Sequence, residues 1–590
     1  MASFISETSN YLFVWIILAY VISNIIVFFF KNPEDHKHFY AFQFIIAILF
    51  HAVGYITLFM RSEDIKYFFF FAFQEIIIVA IMAIYLTLYP SISRLLLNNM
   101  IFFLDISFVI LGRLAFKNAL RQFIFTIVLL IVSLFIPFVY QKIKFWRTIP
   151  YAYCALGIIS LASVWLTGTV THGSKLILTL KLYGYNFRFQ PSEFVKLSMV
   201  FFMAALFSQK KNKLRFLLGG LFMLVHVMLL VLEKDLGSAG IYLITFFFMV
   251  FCATASPFIL PVGAAVGAGG FAFAYKEFAH VRIRVKTWLN PFEDVENTGW
   301  QLSQSLFAIG TGGWFGMGLF QGYPKSIPYV EEDFIFSAIG EEMGVLFSVL
   351  LIALYLFTAL HIIRYSYRVK STFHQYLLFG FAICFAVQVF ITIGGGTRLI
   401  PLTGVTLPLI SMGGSSLSTT ILMFSVIQAI YVKEFNYKNL SKEIVHRIED
   451  REDEEWSFEE DDDDEYEDED YEAGEYEEDE YEEDGYEESE ENAGKESVVE
   501  GNEDEENKDE NDEDDEDESA EDIYKKYGVI TGNTDPGEAK PVWKMRSTGR
   551  IGKPEFVDDE LLSSPTVDLS VVNEEVKKRE MIEDFNFEEI

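Results

Sequence analysis

Cysteine is scarce in this chain. Its 590 residues hold three, Cys154, Cys252 and Cys384, all within apolar runs. None belongs to a CxxC pair, which excludes a zinc ribbon or a disulfide framework. A nucleotide fingerprint is also missing. The run Gly310-Thr-Gly312-Gly313-Trp-Phe-Gly316-Met-Gly318 follows no strand pattern and ends in no GK[ST]. There is no basic excess: the net charge is −36. A chain so acidic overall repels phosphate, so no nucleic-acid partner is expected.

What is present is a greasy body and a separate acidic tail. Hydrophobic residues make up 51% and aromatics 16%, with 59 Phe. Residues 1–448 carry a net charge of +12, residues 449–520 of −42 and residues 521–590 of −6. The acidity therefore describes the tail alone. A bilayer-spanning helix needs about 20 mostly apolar residues. Thirteen runs meet that need: 11–30, 39–60, 67–89, 95–115, 122–140, 150–168, 192–208, 215–233, 237–255, 257–275, 336–363, 375–396 and 405–432. The first is too long for a cleavable signal peptide and has no basic flank before it.

Short loops on one side of these spans carry 17 Lys and Arg, against nine on the other side with the long loop 276–335 left out. The richer side is expected to be cytoplasmic. That puts the N-terminus and loop 276–335 outside and the tail inside. Residues 449–520 repeat Glu, Asp and Tyr with almost no aliphatic residues. Such a segment buries too little surface to offset its ordering entropy, and disorder is expected.

The candidate chemistry lies in four places. Loop 276–335 sets Arg282, Arg284 and Trp288 before Glu293, Asp294 and Glu296, then a Gly299-Trp300-Gln301 turn. Loops of about sixty residues are uncommon without a function, although Trp residues also anchor loops at headgroups. Gln190-Pro191-Ser192-Glu193 opens the seventh run, with Lys196 one turn later. Glu233, Lys234 and Asp235 end the eighth, and Asp333, Glu341 and Glu342 mark the eleventh. Membrane-centre charges cost about 2.5–3.5 kcal/mol on insertion scales, so they pair or line a cavity. Glu193 and Lys196 also fit a plain i,i+3 pair. Glu75 and Asp105 read as charges satisfied by neighbouring helices, and His51 and His226 as structural. Finally, Pro401-Leu-Thr403-Gly404-Val-Thr-Leu407-Pro408-Leu-Ile-Ser411-Met-Gly413-Gly414-Ser415-Ser416 is too rich in Pro and Gly for an unbroken helix. Broken backbone is tolerated in a membrane only against protein or a water-filled cavity.

Over roughly residues 95–435 these blocks resemble the SEDS family (shape, elongation, division and sporulation), which includes FtsW, RodA and SpoVE. The blocks are QPSE with Lys196, the Asp235-Leu236-Gly237 step, NPFED…GWQLSQSLFAIGTGG running to Glu342, and PLTGVTLPLISMGGSS, in the family's order. The resemblance implies an all-α polytopic membrane protein. Its ten-span core, 91–435, follows three additional spans in 1–90 and precedes a cytoplasmic, mostly disordered acidic tail, 436–590. Two departures are visible. The family's Gly-Ala-x-Arg-Trp reads Gly173-Ser-Lys-Leu176-Ile177, and its Gly-Tyr-Gln reads Gly299-Trp300-Gln301.

The implied activity is polymerisation of lipid II into β-1,4 glycan strands with release of undecaprenyl diphosphate, in division or elongation. From the residues alone Glu293, Asp294 and Glu296 are equal candidates for a base; the family match selects Asp294. Substrate-binding candidates are Arg282, Arg284, Glu193, Lys196, Gln301, Arg398 and Ser411, with a divalent cation (Mg or Mn) as a further source of positive charge. The family also implies a class B penicillin-binding transpeptidase as partner, among other division or elongation membrane proteins. A lipid II flippase and a non-catalytic division scaffold are the rival readings. The tail is expected to be peripheral to the chemistry. Removal of residues 449–590 should leave polymerisation in detergent within about twofold, under ~0.5 kcal/mol of barrier. Glycan yield from the truncated, folded protein measures this.

Overall fold

The computed structural model describes residues 2–30, 36–171, 174–182, 185–209 and 213–436. Residues 437–590, with the expectation of a disordered tail, lie outside the described residues, as does Gly173 of the first departure. Every apolar run forms a helix. In order these are α1 (Ala2–Phe28), α2 (Lys37–Ser62), α3 (Lys66–Leu88), α4 (Arg94–Leu114), α5 (Phe116–Lys142), α6 (Pro150–Thr167), α7 (Pro191–Phe207), α8 (Lys213–Glu233), α9 (Leu236–Thr254) and α10 (Ile259–Glu277). Two shorter helices, α11 (Ala279–Leu289) and α12 (Trp300–Gly312), precede α13 (Ile335–Ser366), α14 (Thr372–Gly396) and α15 (Gly414–Asn436). Twelve of these helices are long and apolar enough to cross a membrane; α7, with 17 residues, is the shortest of the thirteen that match the apolar runs.

Local chemistry sets many of the ends. Pro150 and Pro191 sit in the first turns of α6 and α7, where a missing N–H costs nothing. Ser93 caps α4 by accepting from Leu96 N at 3.4 Å, and Asp235 caps α9 by accepting from Ser238 N at 3.0 Å.

Two expectations need correction, and one connection has structure of its own. Loop 276–335 is not irregular throughout, since it holds α11, α12 and a 3-10 turn at Pro324–Ser326. The last span begins at Gly414 rather than 405, because residues 401–413 are extended or in turns, with Gly404 at φ 80 and Leu409 at φ 65. The segment before α7 is not helical: β1 (Thr169–Thr171), β2 (Ser174–Leu182) and β3 (Tyr185–Phe189) form an antiparallel sheet of order β1-β2-β3. In register, Thr169 faces Ile177 and Leu178 faces Phe189. Its alternation is short, and no long apolar run advertised it.

Helix α4 is the hub, buried along its whole length. Lipid tails are as apolar as leucine, so helix choice in a membrane depends on packing and interhelical hydrogen bonds. α4 supplies both. Asn99 donates to Asn24 Oδ1 of α1 at 2.8 Å and to Thr358 Oγ1 of α13 at 3.0 Å, and Tyr20 of α1 donates to Asn99 Oδ1 at 3.1 Å. Asn98 donates to Tyr40 O of α2 at 2.9 Å, and Ser107 to Ile410 O at 2.7 Å. The first three helices are thereby fastened to the rest: α1 packs on α13 and α2 packs on α4.

The glycine-rich run finds its explanation at α13. That helix is broken at Gly344 (φ 90). Into the break tucks the chain after α12: Val345 N donates to Gly313 O at 2.9 Å, Met317 N to Glu341 O at 2.9 Å and Gly318 N to Glu342 O at 2.9 Å. A Cβ on Gly316 would lie 2.3 Å from Glu342 O, and one on Gly312 2.0 Å from Gly340 O. The glycines permit backbone-to-backbone contact. Beside this seam Arg113 of α4 pairs with Glu342 at 2.7 Å, both buried, and donates to Gly322 O at 3.1 Å. Glu342 also accepts from Phe320 N at 3.1 Å.

Breaking a buried pair from one side strands the other charge, at a cost of about 3–5 kcal/mol. Arg113→Met should therefore lower thermal stability in detergent by that order. Arg113→Met combined with Glu342→Gln should recover most of the loss, as read from unfolding midpoints.

Candidate functional site

The outer half of the site is built on α11 and the turn that follows it. α11 presents Arg282, Arg284 and Lys286 within two turns. Its C-terminal end is held from the far side of the chain by Arg398. That guanidinium donates to Trp288 O at 2.9 Å and Leu289 O at 2.6 Å, while Trp288 Nε1 donates back to Arg398 O at 3.1 Å. Arg398 has a left-handed backbone, φ 63. A non-glycine residue there costs of order 1–3 kcal/mol and persists where surrounding contacts over-determine it, commonly at functional sites. Arg282 donates to Lys276 O at 2.6 Å, closing the turn into α11. Arg284 donates to Thr403 O at 3.1 Å, joining α11 to the Pro- and Gly-rich segment.

Asp294 lies on the turn between α11 and α12. Its Oδ1 accepts from Asn297 Nδ2 at 2.8 Å, and its Oδ2 from Thr298 Oγ1 at 2.9 Å and Thr298 N at 3.2 Å. These bonds, the Asn297 side chain's foremost, hold its carboxyl below the usual aspartate range. It is therefore ionised throughout the neutral range. Glu293 is exposed and paired with Lys286 at 3.0 Å, and Glu296 is exposed. Gln301 is half-buried in the first turn of α12.

A second network lies between the spans. Lys196 is buried and pairs with Glu193 at 2.6 Å, while donating to Gln388 Oε1 at 2.7 Å. Gln388 Nε2 in turn donates to Thr406 O at 3.0 Å and Ser416 Oγ at 3.1 Å. Ser192 donates to Asp235 Oδ2 at 2.9 Å, and Gln190 N to Ser415 Oγ at 3.1 Å. The i,i+3 pair is thus present, but it belongs to a network of four elements rather than to one helix.

Segment 401–416 is the wall common to both networks. It takes Arg284 at Thr403 and Gln388 at Thr406. Ser411 is its internal fastening. The buried hydroxyl donates to Glu332 O at 2.5 Å and accepts from Leu407 N at 2.9 Å, while Met412 N donates to Glu331 O at 2.7 Å. Ser411 therefore shapes the wall from behind. Arg284 also interacts with Asp333 and Asp235. Burial and the neighbouring Glu332 push Asp333 up to about 6, against the pull of Arg284.

Sequence reasoning passed over four contributors. Arg113 closes an apolar run, and its partner lies 229 residues away. Gln388 looks like an ordinary polar residue in a span. Thr403 and Thr406 contribute carbonyls, which no side-chain pattern announces. Among the described residues no group of three or more His, Cys, Asp or Glu could hold a metal. Asp294 is engaged by its own turn and Glu293 by Lys286.

Comparison with known proteins places this architecture. The family model described as Cell cycle protein, for FtsW, RodA and SpoVE, matches residues 86–436. Peptidoglycan glycosyltransferase RodA of Mycobacterium bovis is 35% identical over 275 residues, 44% of this chain and 58% of that protein. Stage V sporulation protein E of Bacillus subtilis is 31% identical over 321 residues, 53% of this chain and 86% of that protein. The chain thus spans less than two thirds of the length of the mycobacterial RodA relatives it matches. Among solved structures, a chain from a peptidoglycan synthase complex is 25% identical, with 58% of this chain and 98% of that one covered and a TM-score of 0.49. RodA of Thermus thermophilus is 23% identical with the same coverage and a TM-score of 0.42. With more than half of its residues matched by the family model, this multi-pass membrane protein belongs to the family of FtsW, RodA and SpoVE, the SEDS family.

Proposed function

We propose that the chain is a peptidoglycan polymerase that joins lipid II disaccharide units into β-1,4 glycan strands. The observation that carries the reading is the placement of Asp294. It is an ionised carboxylate on a short turn between the cations of α11 and the start of α12. Relatives named as peptidoglycan glycosyltransferases support it.

The chemistry needs one base. The acceptor's 4-hydroxyl oxygen attacks C1 of the donor sugar, its proton passes to Asp294, and the C1–O bond breaks with its electron pair leaving on undecaprenyl diphosphate. Diphosphate is a good leaving group, so a second carboxylic acid of the glycosidase kind is unnecessary. A single displacement converts an α-linked donor into a β bond. Asp294 accepts three hydrogen bonds, which leaves an acceptor site of the carboxylate for the acceptor hydroxyl, and release of Asn297 or Thr298 makes it a stronger base. Arg282 and Arg284 are the cations for the diphosphate, with Arg398 holding α11 in place. Lys196 and Glu193 act from the inner network, and Gln301 from the head of α12. A chelator arm in the polymerisation assay reads whether Mg or Mn on the diphosphate adds to these cations.

In this reading loop 276–335 and the N-terminus face outside and the tail faces the cytoplasm. The partner is a class B penicillin-binding transpeptidase that crosslinks the new strand, in division or elongation.

Purified protein with lipid II should give glycan strands, which a flippase or a scaffold would not. Asp294→Asn should insert and fold normally yet polymerise at least about 100-fold more slowly. Full polymerisation by that variant would sink the assignment. A separate outcome concerns pH. Below about pH 6 Asp333 takes up a proton and no longer balances Arg284. Arg284 is then freer to hold the diphosphate, so initial rates measured across pH are expected to rise as pH falls through that value in the intact protein, and the step should be absent from Asp333→Asn.

A further inference from the structure

The three helices ahead of the matched region meet the core around a buried group of titratable side chains that the proposed reaction does not use. His51 of α2 places Nδ1 2.8 Å from Glu75 Oε1 of α3 and 3.8 Å from Asp105 Oδ1 of α4. All three residues lie near the middle of their helices. His51 and Asp105 are buried, and Glu75 is 16% exposed. One N–H cannot serve two carboxylates, and the geometry shows the shortfall. Asp105 Oδ1 and His51 Nε2 have no hydrogen-bond partner. Gln74, fully buried on α3 beside the Tyr55 hydroxyl but outside hydrogen-bonding geometry, leaves both Nε2 and Oε1 unpartnered.

Among the described residues the surroundings offer no fixed counter-charge. From α1 comes Tyr20, which donates to Asn99. From α2 comes Tyr55, which donates to Phe108 O at 3.2 Å, and from α3 come Gln74 and Tyr67, the latter donating to Gly112 O at 3.3 Å. The rings of Phe71 and Phe108 flank the imidazole. On α4 itself Arg113 is two turns away and committed to Glu342. With a neutral imidazole and two ionised carboxylates, the group would hold two negative charges in an apolar layer. Such groups neutralise by taking up protons.

We infer that His51, Glu75 and Asp105 form a proton-binding site that fastens the N-terminal three-helix unit to the core. Two protons bring the group to zero charge, shared among the imidazole and the two carboxyls. A ring N–H at Nδ1 then faces the Glu75 carboxyl at 2.8 Å. The carboxylic acid gains an O–H that can donate, and an otherwise orphaned oxygen becomes a hydrogen-bonding group. The ligand is the proton alone, drawn from solvent water, and its loss leaves repelling carboxylates at a helix–helix seam. The folded protein holds more protons here than the unfolded chain at neutral pH, so stability must fall as pH rises.

The test uses the full chain purified in detergent and needs no substrate, so its outcome is independent of the polymerase reading. Unfolding midpoints are measured from about pH 6 to about pH 8.5, with infrared spectra of the carboxylic-acid C=O band at neutral pH. The wild type should lose stability across that range and show a buried acid band. Asp105→Asn and Glu75→Gln are both isosteric, and either suffices if the other does not accumulate. The folded variant should lose at least half of the pH-dependent fall in midpoint, and the acid band should weaken or shift. A variant that keeps the full wild-type pH slope and an unchanged acid band would overturn the assignment.

Discussion

A backbone amide without a partner inside a membrane costs several kcal/mol. This chain carries two irregular stretches against its longest spans, residues 312–323 and 397–413. Much of the rest of the structure answers that demand. The first stretch closes against the break in α13 by pairing with its backbone, and the second is fastened by Ser411 to Glu332 O and by Met412 N to Glu331 O. Because 397–413 is held from behind, its other side is free to receive Arg284 and Gln388. The wall of the site is thus a by-product of satisfying the backbone.

Charge follows the same logic at shorter range. Lys196 is buried beside Glu193, and Arg113 beside Glu342. A buried pair adds little net stability, yet losing one partner is expensive. Such pairs therefore restrict which helices can adjoin which, rather than glueing them strongly. At the outer surface the cations of α11 are treated differently. Arg282 bonds a backbone carbonyl, which neutralises nothing, so its positive charge is retained for an anion, whereas Arg284 also faces the charges of Asp333 and Asp235.

The first three helices are integrated with the family core and are not an appendage. α1 lies on α13 and reaches the glycine-rich loop, where Asn10 donates to Gly316 O at 3.1 Å and Tyr11 meets the Phe315 ring. With α2 they complete the enclosure of α4, whose polar face (Asn98, Asn99, Asp105) would be untenable against lipid. The polar residues of α4 and those of α1 to α3 are two halves of one solution.

The spans themselves were legible in the sequence, since each apolar run had only one way to satisfy its backbone in a bilayer. The break before α15 was also legible, from its prolines and glycines, although its helix starts nine residues later than the hydropathy alone suggests. The cations of α11 and the acidic trio Glu293, Asp294 and Glu296 were marked by proximity in sequence, and the family resemblance singled out Asp294. Tertiary structure alone decided the rest. The glycine-rich run became a backbone seam only because Gly344 opens α13 to receive it. Ser411 turned inward because the Glu332 carbonyl arrives behind it from another part of the chain, next to the Glu331 carbonyl that takes Met412 N. His51, Glu75 and Asp105, each unremarkable in its own run, became one group because three helices cross at their midpoints. Hydropathy fixes how far each helix runs along the membrane normal. Its rotation and neighbours are set by which polar groups must meet, and those partners lie tens to hundreds of residues apart.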